Sequence, residues 1–170
     1  SKEIAVDRFR STAGNDEMVK VVLFLMHEKY NVDKNSLIET IKTIDLIPGV
    51  ELVLKPHTRG MSDVFEEILR DTLSSTEKTT LCETNSSLAL LNWADVAVAY
   101  GSSIALQALC NDIPLIYPDY IDSNTTFFDD WGACWKVESV LELRGAMETL
   151  ISDVNYRPYT SSDVERFLRE

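Results

Sequence analysis

The sequence predicts an α/β fold, a mostly parallel sheet with helices on both faces, and the first observation behind this is an alternation that runs along most of the chain. Short runs of β-branched and apolar residues take turns with segments of helical period. The first run, Val21 to Met26, is continuously apolar instead of alternating, as a strand buried on both faces is. The segments that follow them are unusually polar, which places the chemistry at the strand exits. A chain of 170 residues fits one domain, because folding at this size buries roughly 70% of the surface the unfolded chain exposes.

Residues 1–20 mix charge with Ser11, Thr12, Gly14 and Asn15 and show no period, so we read them as an arm or linker ahead of a single domain over 21–170. Val21 to Met26 is the first strand. Asp33 then opens a helix with apolar residues at Leu37, Ile38, Ile41, Ile44 and Leu46, and Pro48-Gly49 stops it. The alternation continues with strand Val50 to Lys55, helix Ser62 to Thr72, strand Thr79 to Glu83 and helix Ser86 to Trp93. After these come strand Asp95 to Tyr100, helix Ser102 to Cys110, strand Pro114 to Pro118, a short strand Ala133 to Val137 and helix Val140 to Ile151. Beyond Pro158, Val164, Phe167 and Leu168 at helical spacing predict a last short helix over Ser161 to Glu170.

The composition excludes several classes. With 28 acidic residues against 16 basic ones the formal charge is −12, which argues against a protein that coats nucleic acid through clustered Lys and Arg. The longest apolar run is far shorter than the roughly 20 residues of a membrane-spanning helix. Three cysteines, Cys82, Cys110 and Cys134, stand far apart without a CxxC pair, and two histidines do not complete a metal site. These features point to a reduced, cytoplasmic setting, no metal and no resident cofactor, with Cys82 and Cys110 as small buried residues. The chain starts Ser-Lys with no signal-peptide pattern, and we read it as part of a longer protein.

Ligands of open parallel sheets bind outside the carboxyl ends of the strands. The second exit, Lys55-Pro56-His57-Thr58-Arg59-Gly60, gathers cation-capable side chains in an acidic protein. If the extended path continues through Pro56, Lys55, His57 and Arg59 share one face and converge on a phosphate; a solvated turn, with His57 capping a carbonyl, is the alternative. At the fourth exit Gly101 permits a sharp turn, and Ser102 and Ser103 place hydroxyls and free N–H groups at a helix start that favours an anion, although serine is also an ordinary N-cap. Thr84, at the third exit, joins these as a candidate nucleotide contact. No GxxxxGK[ST], GxGxxG or GxSxG pattern is present, which disfavours nucleotide hydrolysis, nicotinamide binding and serine hydrolysis. The acidic residues Asp119, Asp122, Asp129 and Asp130 read as solvated surface, and Trp93 as core. Tyr117, Phe127, Phe128, Trp131 and Trp135 cluster near the fifth exit, where packing or stacking on a base are both open.

Lys-Pro-His, followed some forty residues later by Ala94-Asp95-Val96, Gly101-Ser102-Ser103-Ile104-Ala105-Leu106 and then Pro114-Leu115-Ile116-Tyr117-Pro118, resembles the C-terminal half of GT-B fold glycosyltransferases. The likeness covers about residues 20–151 and is strongest to bacterial surface-polysaccharide and CDP-glycerol glycerophosphotransferase-like enzymes. It implies a Rossmann-like domain that binds a nucleotide-activated sugar or alditol of the CMP, CDP or UDP type. It also implies an N-terminal acceptor-binding domain absent from this chain, and peripheral membrane association through the rest of the protein at the inner face. His57 becomes the catalytic donor-phosphate contact, with Lys55 and Arg59 beside it and Ser102 and Ser103 opposite. Gln107 stands where many of these enzymes carry a ribose-binding Glu, and Thr58 follows His57 where related transferases carry Pro. The implied function is the donor-binding half of a transferase in surface-polysaccharide synthesis. The alternatives are half of a sugar-nucleotide epimerase, or a non-catalytic module of the same fold.

Overall fold

The computed structural model describes residues 18–27, 32–57, 60–100, 104–121 and 134–169. Their strands form one six-stranded sheet in the order β3-β2-β1-β4-β5-β6, with β1 at Val19–Phe24, β2 at Val50–Lys55, β3 at Thr79–Leu81, β4 at Val96–Ala99, β5 at Leu115–Pro118 and β6 at Trp135–Val137. Every neighbouring pair runs parallel. The strand order reverses between β1 and β4, which is the switch point at which ligands of such sheets are held.

The helices are α1 (Lys34–Leu46), α2 (Asp63–Ser74), α3 (Ser87–Trp93), α4 (Ile104–Cys110), α5 (Val140–Ser152) and α6 (Ser161–Arg169). α1 packs with α2 and α5, while α3 and α6 pack with α4. Right-handed crossovers running first one way and then the other across the sheet divide the helices between its faces in this manner.

The local starts are those the sequence specifies. Asp33 caps α1 by accepting from the N–H groups of Asn35 (3.0 Å) and Ser36 (3.2 Å). Ser62, Ser86 and Ser139 cap α2, α3 and α5 in the same way through Phe65, Ala89 and Glu142. Gly49 turns the chain after α1 at φ +80°. Its carbonyl accepts from the Val19 N–H (2.6 Å), and the Lys20 N–H bonds the Asp95 carboxylate (2.9 Å). These bonds draw Val19 and Lys20 into β1, so the strand starts two residues inside the stretch expected to be an arm.

The core is the sheet and the faces turned to it. Val21, Val22 and Leu23 of β1, Leu52 to Leu54 of β2 and Val96 to Val98 of β4 are fully buried, as are Leu37, Ile41 and Ile44 of α1. Burial on both faces explains why the strands read as unbroken apolar runs. Trp93 and Tyr117 are also core. Cys82 is buried as expected, but Cys110 is exposed: α4 buries Ala105, Ala108 and Leu109, and its last residue falls on the outer side. Among the described residues no helix is long and apolar enough to cross a membrane.

Candidate functional site

The carboxyl ends of the central strands are pinned into a common edge. The Leu25 N–H donates to the Lys55 carbonyl (2.9 Å) and the Cys82 N–H to the Leu54 carbonyl (2.9 Å), extending the ladders past the strands. The Met26 N–H donates to the hydroxyl of Tyr100 (3.2 Å), a fully buried side chain at the exit of β4, and so couples the exits of β1 and β4. Adjacent strands lie about 4.8 Å apart, so residues at these exits reach one another although far apart in sequence.

Lys55 and His57 come together here. Both line a cavity of about 360 Å³ outside β2 and β3, along with Pro56, Gly60, Met61, Glu66 and Glu83. The Lys55 ammonium donates to the Glu83 carbonyl oxygen (3.3 Å), which fixes it between the two exits. The Gly60 N–H donates to the His57 carbonyl (2.9 Å), and Gly60 takes φ +79°, which glycine accepts without strain. Two acidic residues line the cavity as well: Glu66, one turn into α2 and bonded to Arg70 (2.7 Å), and Glu83. A ligand here meets cationic and anionic groups within one cavity, an arrangement suited to a polar molecule that carries both phosphate and hydroxyl or amino groups.

The other expected residues divide. Arg59, Gly101, Ser102 and Ser103 lie outside the described residues, as do Asp122, Phe127, Phe128, Asp129, Asp130 and Trp131. Thr84 is exposed at the exit of β3, and Gln107 is exposed on α4, where its carbonyl accepts from the Asn111 N–H (3.1 Å) and side-chain amide (2.7 Å). Neither lines the cavity. Asp119 is bound inward, its carboxylate taking the Tyr117 hydroxyl (3.1 Å) and the Lys136 ammonium (3.3 Å). Trp135 packs on Tyr156 with ring centroids 5.2 Å apart. Beside this edge the Tyr120 hydroxyl bonds Thr40 (2.7 Å), whose own proton goes to the Ser36 carbonyl (2.7 Å). With the Thr40 proton used there, the Tyr120 hydroxyl is the donor of that pair, and burial pushes its phenol up to about 12.

Sequence reasoning did not select Glu66, Glu83 or His27. The signal for Glu83 was its place at a strand exit, and for Glu66 its place in the first turn of a helix that starts at one. His27 follows β1, and its ring stands perpendicular to that of His57 with centroids 6.1 Å apart. Among the described residues, no three His, Cys, Asp or Glu side chains gather into a set able to hold a metal ion.

This fold is the one shared by GT-B glycosyltransferases and UDP-GlcNAc 2-epimerases, as the sequence motifs led us to expect. The UDP-GlcNAc 2-epimerase of Neisseria meningitidis, solved bound to UDP-GlcNAc, matches 96% of the chain with a TM-score of 0.62 at 14% identity. The Methanocaldococcus jannaschii enzyme, solved with UDP-GlcNAc and UDP, matches 99% with a TM-score of 0.61 at 19% identity. The chain spans about half the length of these two, 47% and 48%. It spans 94% of the isolated C-terminal domain of a group 1 glycosyltransferase from Francisella tularensis, which covers 99% of it with a TM-score of 0.58 at 13% identity. No protein-family model and no curated protein sequence matches the chain. The likeness is therefore one of fold.

Proposed function

We propose that this chain is the donor-binding domain of a transferase that moves a sugar or alditol phosphate from a nucleotide-activated donor, in the synthesis of a surface polysaccharide. The observation that carries the reading is the convergence of Lys55 and His57 on one cavity at the carboxyl edge of the sheet, one strand from its switch point. The solved relatives that hold UDP-GlcNAc or UDP support a nucleoside diphosphate as the ligand class.

In this reading an acceptor hydroxyl attacks the donor, the bond to the nucleotide leaving group breaks, and His57 and Lys55 stabilise the negative charge that collects on the departing phosphate. Ser102 and Ser103 add hydroxyl and N–H donors and Arg59 a further cation, while Thr84 and Gln107, outside the cavity, are left to the parts of the nucleotide that extend beyond it. A second domain holds the acceptor and supplies the base that takes its proton. The cytoplasmic setting belongs to the same proposal.

The test is a thermal-shift panel of CMP, CDP, UMP and UDP on this chain. A ligand at a hundredfold excess over its Kd adds about 2.7 kcal/mol of stability, whereas a purely recruiting module responds to none. No shift with any nucleotide overturns the reading. The epimerase reading is favoured by the fold shared with the two epimerases across 96% and 99% of the chain. Incubating the full-length protein with UDP-GlcNAc and no acceptor separates the two: interconversion of the sugar supports an epimerase, and donor consumption only with an acceptor supports transfer.

A further inference from the structure

We propose that His27 is a second phosphate ligand, and that His27 and His57 hold one phosphate group of a nucleoside diphosphate donor between them; the inference rests on the nucleotide-binding reading above. The chain has two histidines, 30 positions apart in sequence, and the fold delivers both to neighbouring strand exits. The bond from the Leu25 N–H to the Lys55 carbonyl holds those exits in register. The rings stand at 90° with centroids 6.1 Å apart, and both residues are half-buried. Two imidazoles this close can each donate an N–H to an oxygen of the same phosphate. Half-burial strengthens a charge-assisted hydrogen bond and still leaves a way in.

The strand order supplies the second argument. β1 lies between β2 and β4, so the exits of β2 and β4 are about 10 Å apart, two strand spacings. An anion held by His57 alone would sit that far from the exit of β4. One shared with His27 lies about one and a half spacings, roughly 7 Å, from it, and so nearer the switch point. Lys55 leans the opposite way, with its ammonium on the Glu83 carbonyl beyond β3. His57 thus stands between the two, lining one cavity with Lys55 and lying next to His27 on the β1 side.

Calorimetric titration of UDP and CDP, with uridine and cytidine as phosphate-free controls, into the unmodified chain, His27→Asn, His57→Asn and the double variant tests this. Each single variant is expected to lose roughly 10- to 100-fold in diphosphate affinity with nucleoside affinity unchanged. The double variant loses less than the product of the two, because groups on one phosphate are coupled. Imidazole NMR signals of the unmodified chain, both expected to move on adding UDP, serve if His27→Asn does not fold. Loss confined to His57→Asn, a single moving imidazole signal, or losses that multiply in the double variant overturn the shared phosphate and leave the functional reading standing. Failure of the unmodified chain to bind either diphosphate overturns the reading itself, and the inference with it.

Discussion

The two edges of the sheet use their polar side chains in opposite ways. At the amino edge Asp45, buried at the end of α1, accepts from the N–H groups of Glu77 (3.1 Å) and Lys78 (2.8 Å) and from the Thr79 hydroxyl (2.8 Å). The Lys78 ammonium in turn caps the Ile47 carbonyl (2.6 Å), and Asp95 and Lys20 exchange two hydrogen bonds between β4 and β1. These groups are spent inward, on the backbone. At the carboxyl edge Lys55, His57, Glu66 and Glu83 face an open cavity, and the backbone there is held by main-chain bonds and the Tyr100 hydroxyl. The amino edge is closed by its own carboxylates, whereas the carboxyl edge, with Lys55 on the Glu83 carbonyl and Glu66 on Arg70, still leaves a cavity a ligand can enter.

Substitutions at the two edges should therefore separate stability from binding, and the largest effect is expected at Asp45. Asp45→Ala leaves three donors without their acceptor and should cost about 3 to 5 kcal/mol of stability, read by denaturant unfolding. The nucleotide Kd of the remaining folded protein should be unchanged, and a large change in Kd would break the division. Burial works to raise the Asp45 carboxyl, but the bonds from Glu77, Lys78 and Thr79, with the Lys78 charge, hold it below the usual carboxylate range. Its contribution is then fully present above the unfolded value of about 3.9 and is lost as the pH falls through the lower folded value. Unfolding curves of wild type and Asp45→Asn should accordingly converge only in acid.

His57→Ala should show the reverse pattern, weakening nucleotide binding by about 1.5 to 3 kcal/mol with little change in Tm, because a strand-exit residue contributes little to the core. A bound phosphate favours the imidazolium, so wild-type binding should tighten as the pH falls from about 8 to 5.5, after correction for ionisation of the nucleotide itself. The same pH profile in His57→Ala would remove this residue from the site.

A smaller effect, about 1 to 2 kcal/mol in binding, is expected when Ser102→Ala and Ser103→Ala are combined. A lowered melting temperature with unchanged affinity would instead assign the serines to helix capping, worth about 1 kcal/mol. The smallest effect belongs to a position on neither edge. Arg144 and Glu148 form an exposed i,i+4 pair on α5 (3.1 Å), and Arg144→Ala should change stability by less than about 0.5 kcal/mol and binding not at all.

Much of this molecule is legible in its sequence for a physical reason. A strand buried on both faces must be apolar along its whole length, so Val21 to Met26, Val50 to Lys55 and Pro114 to Pro118 announce themselves without knowledge of their neighbours. Helix starts are equally local, because the cap at Asp33, Ser62, Ser86 or Ser139 bonds an N–H two or three residues on. The location of Lys55 and His57 at a strand exit follows from those two rules. What the sequence could not decide is which exits become neighbours. That depends on the order β3-β2-β1-β4-β5-β6, and only this order sets His27 beside His57, gathers Glu66 and Glu83 around Lys55, and brings residues 77–79 to the Asp45 carboxylate. These contacts join residues 11 to 34 positions apart, most of them by way of the sheet, so no local spacing encodes them. The outward position of Cys110 was decided in the same way, by which face of α4 packs on the sheet.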